Sequence, residues 1–320
     1  GISYREPQYG DIVHNPDAEF IDPEKIPSPA WHYLDLQRYR LPLKGRPFLI
    51  VAPIRGCPYP CSFCTATIYY GSKPRQRPVE KVVDEIETNT NRYGVRDYFV
   101  WADTFTADKQ YVKQFCNQIV DRGIKISWTC NSRTDTIDPG LLQLMKKAGL
   151  WLISYGLESG SETILKKAGK NITLAQSKLA VTWAHRLDIK TCGHFILGLP
   201  GESERTLRQT LKFSLRLPLD IAQFYTAAPF PGTQLYKESI EKGWLSTEAI
   251  ASQSRAVINL PGLPAQKVNQ FQKYAYRKFY LRPKTVYRLF KMAKLIRINE
   301  ITFGLKRYSS WVNRGREAGY

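Results

Sequence analysis

Cys57, Cys61 and Cys64 fall in the run Gly56-Cys57-Pro58-Tyr59-Pro60-Cys61-Ser62-Phe63-Cys64, spaced C-x3-C-x2-C. Thiolates are soft ligands that suit iron–sulfur clusters and zinc. A four-iron cluster has four irons to satisfy. Three close thiolates with no obvious fourth leave one iron open to a substrate or a cofactor, so the spacing points to chemistry. A structural zinc site needs four closed ligands, usually in paired C-x2-C or C/H spacings. Here Cys116, Cys130 and Cys192 are isolated, and His14, His32, His185 and His194 are scattered. A disulfide framework does not suit so long a chain, whose remaining cysteines lie in apolar or strand-like contexts and read as small buried hydrophobes. The usage suits a reducing compartment.

The elements that must position these thiols alternate in type. The apolar run Phe48–Ala52 reads as a strand leading straight into the cysteine loop. Val79–Tyr93 has helical apolar spacing at Val82, Val83 and Ile86. Strand signals follow at Tyr98–Trp101, Ile124–Cys130, Trp151–Tyr155, Lys190–Leu197 and Asp220–Thr226. Helices are expected between them, over Asp108–Arg122, from Asp138-Pro139 to Gly149, over Thr173–Leu187 and over Ser203–Leu217. A further helix is expected over Gln234–Lys242. Asp138 reads as an N-cap with proline at N1, Thr173 as a second cap, and Gly123 as a stop. Short buried strands alternating with helices imply parallel βα units. The fold class read from this order is α/β, a partial (β/α)6 TIM-like barrel. In such barrels the chemistry collects at the C-terminal ends of the strands, where the cysteine loop stands. Residues 1–45, punctuated by Pro23, Pro27, Pro29 and Pro42, read as an extended lead-in. Residues 46–245 read as the core barrel, and 246–320 as a basic, mostly helical region.

The chain has 320 residues, 43% of them hydrophobic, enough for one large domain with appendages. No apolar run of about 18 residues and no signal peptide appears, so a cytoplasmic protein is expected. The first residue is Gly1, which suggests a piece of a longer protein. Net charge is +19 and uneven. Between Pro261 and Tyr320 stand 14 basic residues against only Glu300 and Glu317, leaving that stretch at +12. The field favours an anionic partner. Interleaved Phe279, Tyr280, Leu281, Tyr287, Leu289, Phe290, Met292, Leu295 and Ile296 suit an amphipathic helix on an anionic membrane surface at least as well as a nucleic-acid groove. A solubilising helix face is the plainer alternative.

The cysteine motif, with Phe63 before its third cysteine, resembles that of the radical S-adenosylmethionine (SAM) superfamily. Further stations fall in order over about residues 46–245: Trp101-Ala102-Asp103-Thr104-Phe105, Asn131-Ser132-Arg133, Tyr155-Gly156-Leu157-Glu158-Ser159-Gly160-Ser161, Phe195-Ile196-Leu197-Gly198-Leu199-Pro200-Gly201-Glu202 and Ala228-Pro229-Phe230-Pro231-Gly232-Thr233. The resemblance implies that Cys57, Cys61 and Cys64 hold a [4Fe–4S] cluster whose fourth iron chelates SAM. One electron from a donor such as flavodoxin or ferredoxin then releases a 5′-deoxyadenosyl radical that abstracts hydrogen from a substrate carbon. Asp103 is expected either to bind the SAM ammonium or to cap the next helix. Arg133 is expected to pair with the SAM carboxylate. Glu158 is expected to accept hydrogen bonds from the ribose or the SAM amine, or to bridge to Arg133. Ile196 and Gly198 are expected to flank adenine. Gly198 and Gly201 also read as simple turn residues, and Tyr69 and Tyr70 as loop packing or site lining.

A narrower resemblance comes from the edges. Gly1-Ile2-Ser3-Tyr4-Arg5, Gly10–Pro16, Ile26–Trp31 and Phe279-Tyr280-Leu281-Arg282-Pro283 resemble cobalamin-dependent radical SAM enzymes, a group with magnesium-protoporphyrin ester cyclase-like and hopanoid-modifying members. That group carries an N-terminal cobalamin domain. No D-x-H-x-x-G cobalamin signature occurs in this sequence, so cobalamin is expected through a domain outside it. The leading expectation is C-methylation or cyclisation, on a lipid or tetrapyrrole among other candidates. A methylthiotransferase-like RNA-modifying enzyme and a non-catalytic basic iron–sulfur module stay open.

Overall fold

The computed structural model describes residues 2–7, 10–41, 44–245 and 250–293. Six parallel strands form its centre: β3 (Phe48–Arg55), β5 (Asp97–Ala102), β6 (Ser127–Ser132), β7 (Leu150–Glu158), β8 (Lys190–Leu197) and β9 (Ile221–Thr226). They pair in chain order, and a two-residue strand, β4 (Arg75–Gln76), adds antiparallel to the outer edge of β3. The expected partial (β/α)6 barrel is therefore present, with one antiparallel edge strand that the sequence pattern does not announce. The lead-in also departs from a featureless extension. Its β1 (Ser3–Arg5) and β2 (Ile12–His14) pair as an antiparallel hairpin, followed by three single 3-10 turns.

Alternation along the parallel strands explains their placement. Val51, Tyr98, Val100, Trp128, Cys130, Ile153, Tyr155, Phe195, Leu197 and Phe224 point to one face and are wholly buried. Helices cover that face because it is apolar, and its burial is the main driving term for the fold. They are α2 (Val79–Tyr93), α3 (Lys109–Asp121), α4 (Pro139–Lys147), α6 (Leu174–Arg186) and α7 (Glu204–Arg216). The other face carries Phe99, Trp101, Asn131, Ser154, Gly156, His194, Gln223 and Tyr225, which stay partly open. This mixed aromatic and polar face lines the concave side, where a ligand has room.

The helix starts follow the capping chemistry. Asp138 Oδ1 accepts from Leu141 N–H ahead of Pro139. Thr173 and Gln176 close a reciprocal capping box. Two short helices went without a sequence signal: α1 (Ala66–Tyr70) behind the cysteine loop, and α5 (Glu162–Lys167) after β7. Beyond the barrel come α8 (Gln234–Glu241), α9 (Ala265–Tyr280) and α10 (Pro283–Ala293). Helix α9 lies on β9: Phe279 and Tyr276 meet Phe224 edge-on, and Gln272 donates to the Phe224 carbonyl at 2.7 Å. The basic residues from Lys294 onward lie outside the described residues. Among the described residues no helix is long and apolar enough to cross a membrane.

Candidate functional site

Strand β3 ends at Arg55, and Gly56 turns the chain into the cysteine loop with φ +95°. A Cβ at Gly56 would fall 2.5 Å from the Lys73 carbonyl, so only glycine fits this turn. The Gly56 N–H donates to Asp103 Oδ2 at 2.8 Å. Asp103 therefore ties the end of β5 to the root of the loop. It does not cap α3, whose cap is Asp108. Burial pushes the Asp103 carboxyl above its usual range against that hydrogen bond.

The loop is fastened on every side by protein groups. Cys57 N–H donates to Gly71 O, Cys64 N–H to Cys61 O, Ser62 N–H to Ala168 O, and Leu235 N–H to Ser62 O, at 2.9–3.2 Å. Cys57 is buried and its Sγ lies 3.5 Å from Thr104 Oγ1. Cys61 and Cys64 are half-buried, and all three thiols are free. Burial pushes the Cys61 thiol up, with Lys170 opposing it, and pushes Cys64 to about 11 against a hydrogen bond from Ala66 N–H. Thiolates here thus need cationic company. Among the described residues, no three Cys, His, Asp or Glu side chains close on a single ion. A closed zinc site requires that convergence; a four-iron cluster takes each thiolate on its own iron. The donor set fits the cluster.

The expected residues stand at the same end of successive strands. Arg133 follows β6 and is only 4% exposed. Its Nε and Nη2 hold both oxygens of Asp135 at 2.9 and 2.8 Å, Nη2 also donates to Lys170 O, and the guanidinium lies 3.8 Å from the Tyr59 ring centre. Its Nη1 is buried without a hydrogen-bond partner. Glu158 ends β7 with φ +56°, beside a register shift against β8. The bulge re-aims its side chain. The ion pair expected between Glu158 and Arg133 does not form. Glu158 Oε1 instead takes Lys170 Nζ at 2.8 Å, while Asp135, two residues along, takes the fork of Arg133. Burial opposes the Lys170 charge, but Glu158 and Cys61 outweigh it and hold the ammonium above its ordinary range.

The structure does not bring the β8 residues into this knot. Ile196 is buried near the strand end. Gly198 N–H donates to Glu202 Oε2 at 2.5 Å, and the glycine faces Val268 of α9. Burial pushes the Glu202 carboxyl to about 8. Tyr70 meets Trp101 edge-on, and Tyr69 is exposed. Lys170, Tyr59 and Asp135 are local participants to which sequence reasoning gave no role. So is the pair His194 and Tyr225, stacked at 5.7 Å and 11° on the open face, with the Tyr225 hydroxyl donating to Gln223. Tyr59, enclosed between two of the cysteines, was the one with a readable signal.

An uncharacterised methyltransferase of Pyrococcus horikoshii is 33% identical over 89% of this chain and 62% of its own length. An anaerobic magnesium-protoporphyrin IX monomethyl ester cyclase of Cereibacter sphaeroides is 33% identical over 69% of this chain and 36% of its own. The chain thus spans between about a third and three-fifths of these relatives. The radical SAM methyltransferase TsrM of Kitasatospora setae, solved with cobalamin and a [4Fe–4S] cluster, superposes with TM-score 0.58 at 21% identity, covering 62% of this chain and 38% of that one. That likeness concerns the fold. Residues 51–214, more than half of the chain, match the radical SAM superfamily. The chain belongs to that superfamily, whose enzymes use a [4Fe–4S] cluster and SAM.

Proposed function

We propose that this chain is the catalytic barrel of a cobalamin-dependent radical SAM enzyme that methylates or cyclises at an unactivated carbon. The observation that carries the reading is the cysteine loop at the end of β3, faced by a buried guanidinium with one unused N–H. Cys57, Cys61 and Cys64 would hold the cluster, which supplies one-electron reduction of SAM. Arg133 Nη1 would meet a carboxylate, and Asp135 holds the rest of the fork still. Glu158 would accept from the SAM amine or ribose, and Asp103 would steady the loop root or meet the ammonium. Ile196 and Gly198 would flank adenine. The names of the relatives, one a methyltransferase and one a cyclase, support both outcomes. Cobalamin would come from a further domain or partner, and the electron from a flavodoxin or ferredoxin.

Anaerobic reconstitution with iron, sulfide, SAM and reductant tests the reading. The expected product is 5′-deoxyadenosine, and its absence from a protein carrying a full cluster would sink the proposal. Binding of hydroxocobalamin by the full-length protein tests the narrower class. At the other end of the chain, Leu281, Val286 and Tyr287 are exposed beside Lys284, which supports docking on an anionic membrane. Arg282 and Arg288 are turned partly inward, donating to Leu215 O and Leu219 O. Equal binding to anionic and neutral liposomes at low salt would refute this docking.

A further inference from the structure

The segment Ala168-Gly169-Lys170, just past α5, has no place in the roles given so far, yet it is built against the cysteine loop. Ala168 O accepts from Ser62 N–H at 3.0 Å. Gly169, with φ +67°, lies so close that a Cβ there would stand 2.6 Å from Pro60 O and 3.7 Å from Cys61 Cα. Lys170 O accepts from Arg133, whose guanidinium covers Tyr59 of the same loop. The backbone of the segment therefore packs on the loop, and the next residue in it is a buried lysine, 6% exposed, whose Nζ meets Glu158 Oε1 at 2.8 Å. Its counter-ion Glu158 sits in the left-handed region of backbone space, where a non-glycine residue is strained. A pair wanted only for stability would not need a strained partner. A buried pair is also a weak source of stability, because both ions lose their hydration.

We propose that Lys170 is a positioning and potential-setting residue for the cluster: its ammonium, with the Arg133 guanidinium, favours the reduced state, and Glu158 holds that ammonium in place while damping its effect. The proposal rests on the cluster reading above. On reduction by a low-potential one-electron donor, one electron enters and no bond is made or broken, so the cluster becomes one unit more negative. Net charge near a cluster, hydrogen bonding and exposure set its potential.

A charge cycle tests this without SAM or substrate. Wild type, Lys170→Met, Glu158→Gln and the double variant are reconstituted anaerobically, and iron content and circular dichroism are compared. Each is then titrated with titanium(III) citrate, with the paramagnetic signal of the reduced cluster as readout. Removal of a nearby charge is expected to change the reduced-to-oxidised ratio on the order of tenfold, about 59 mV for a one-electron couple. Lys170→Met should move the potential down, Glu158→Gln should move it up, and the double variant should fall between them. Lys170→Arg should stay near wild type. Equal potentials in all variants, or shifts of one sign for both single variants, would overturn the proposal. If Lys170→Met does not fold, an unmoved potential in Glu158→Gln overturns it alone. Failure of the wild type to assemble any four-iron cluster would refute the cluster reading, and this inference with it.

Discussion

Two lysine–carboxylate pairs close the two ends of one sheet. At the N-terminal end, Lys44 reaches Asp97, the first residue of β5, at 2.6 Å. The same ammonium donates to Ser127, the first residue of β6, and lies 4.4 Å from the centre of the Trp151 ring. Every capacity of that lysine is used, and Asp97 needs no unusual backbone. At the C-terminal end, Lys170 and Glu158 are equally buried and similarly close. There the carboxylate is held at a positive φ, the segment that carries the lysine packs on the cysteine loop, and a neighbouring guanidinium keeps an unpartnered N–H. Similar chemistry stands at both ends, but only at the C-terminal end does it stand beside the cysteine loop, whose Tyr59 lies under the guanidinium with the unpartnered N–H. A buried polar group without a partner is costly unless something else comes to meet it.

The comparison can be broken or sharpened by a graded set of variants. The largest effect is expected from Cys61→Ala: bound iron should fall and 5′-deoxyadenosine should drop to background, and a variant that keeps both would remove Cys61 as a ligand. Lys44→Met strands a buried carboxylate and should lose about 3–5 kcal/mol in urea unfolding. Its cluster potential should match wild type; a shift there would mean the two ends are not separate in function. Glu202 is another buried carboxyl, near the working end, and makes no salt bridge among the described residues. Held up at about 8 against an ordinary 4.5, it stays protonated in the folded chain while the unfolded chain ionises. The folded state binds the extra proton between these values, so stability should fall as pH rises from about 4.5 to about 8. Glu202→Gln should flatten that fall, seen as matching melting temperatures near pH 5 and a higher one for the variant near pH 8. Gly169→Ala forces a side chain against Pro60 at a positive φ and should cost about 1–3 kcal/mol with reduced iron retention; full retention would weaken the role of the brace. Thr173→Ala, a cap outside this knot, should cost about 1 kcal/mol and leave the cluster spectrum alone.

Much of the scaffold was readable because it is written in local signals. Strand β8 and helix α2 have the residue limits expected from apolar periodicity, and the caps at Asp138 and Thr173 are side-chain chemistry on neighbouring backbone. The thiols were readable for the same reason, since three ligands lie in one short loop. What escaped depends on contacts between distant segments. The partner of Glu158 is twelve residues away, past a short helix that has no periodic signature. Strand β4 is two residues long, and its pairing exists only because β3 presents an edge. Glu202 closes one of the sequence stations without a role of its own there, and only tertiary burial changes its chemistry.

The bonds that fix the cysteine loop bear on how the protein is loaded. Gly56, Cys57, Ser62 and Cys64 all spend their backbone N–H groups on other protein atoms, drawn from β5, the Gly71 turn, the Ala168 segment and the loop itself. In small metal-dependent domains the ion organises the chain, so synthesis and metal supply must coincide. A loop anchored by its own polypeptide has no such constraint on timing. The chain would leave the ribosome, fold, and accept its iron and sulfide later from a carrier. After oxidative loss of the inorganic core, the same polypeptide would serve again. Removing iron with a chelator should leave the far-ultraviolet circular dichroism and the main unfolding transition largely in place.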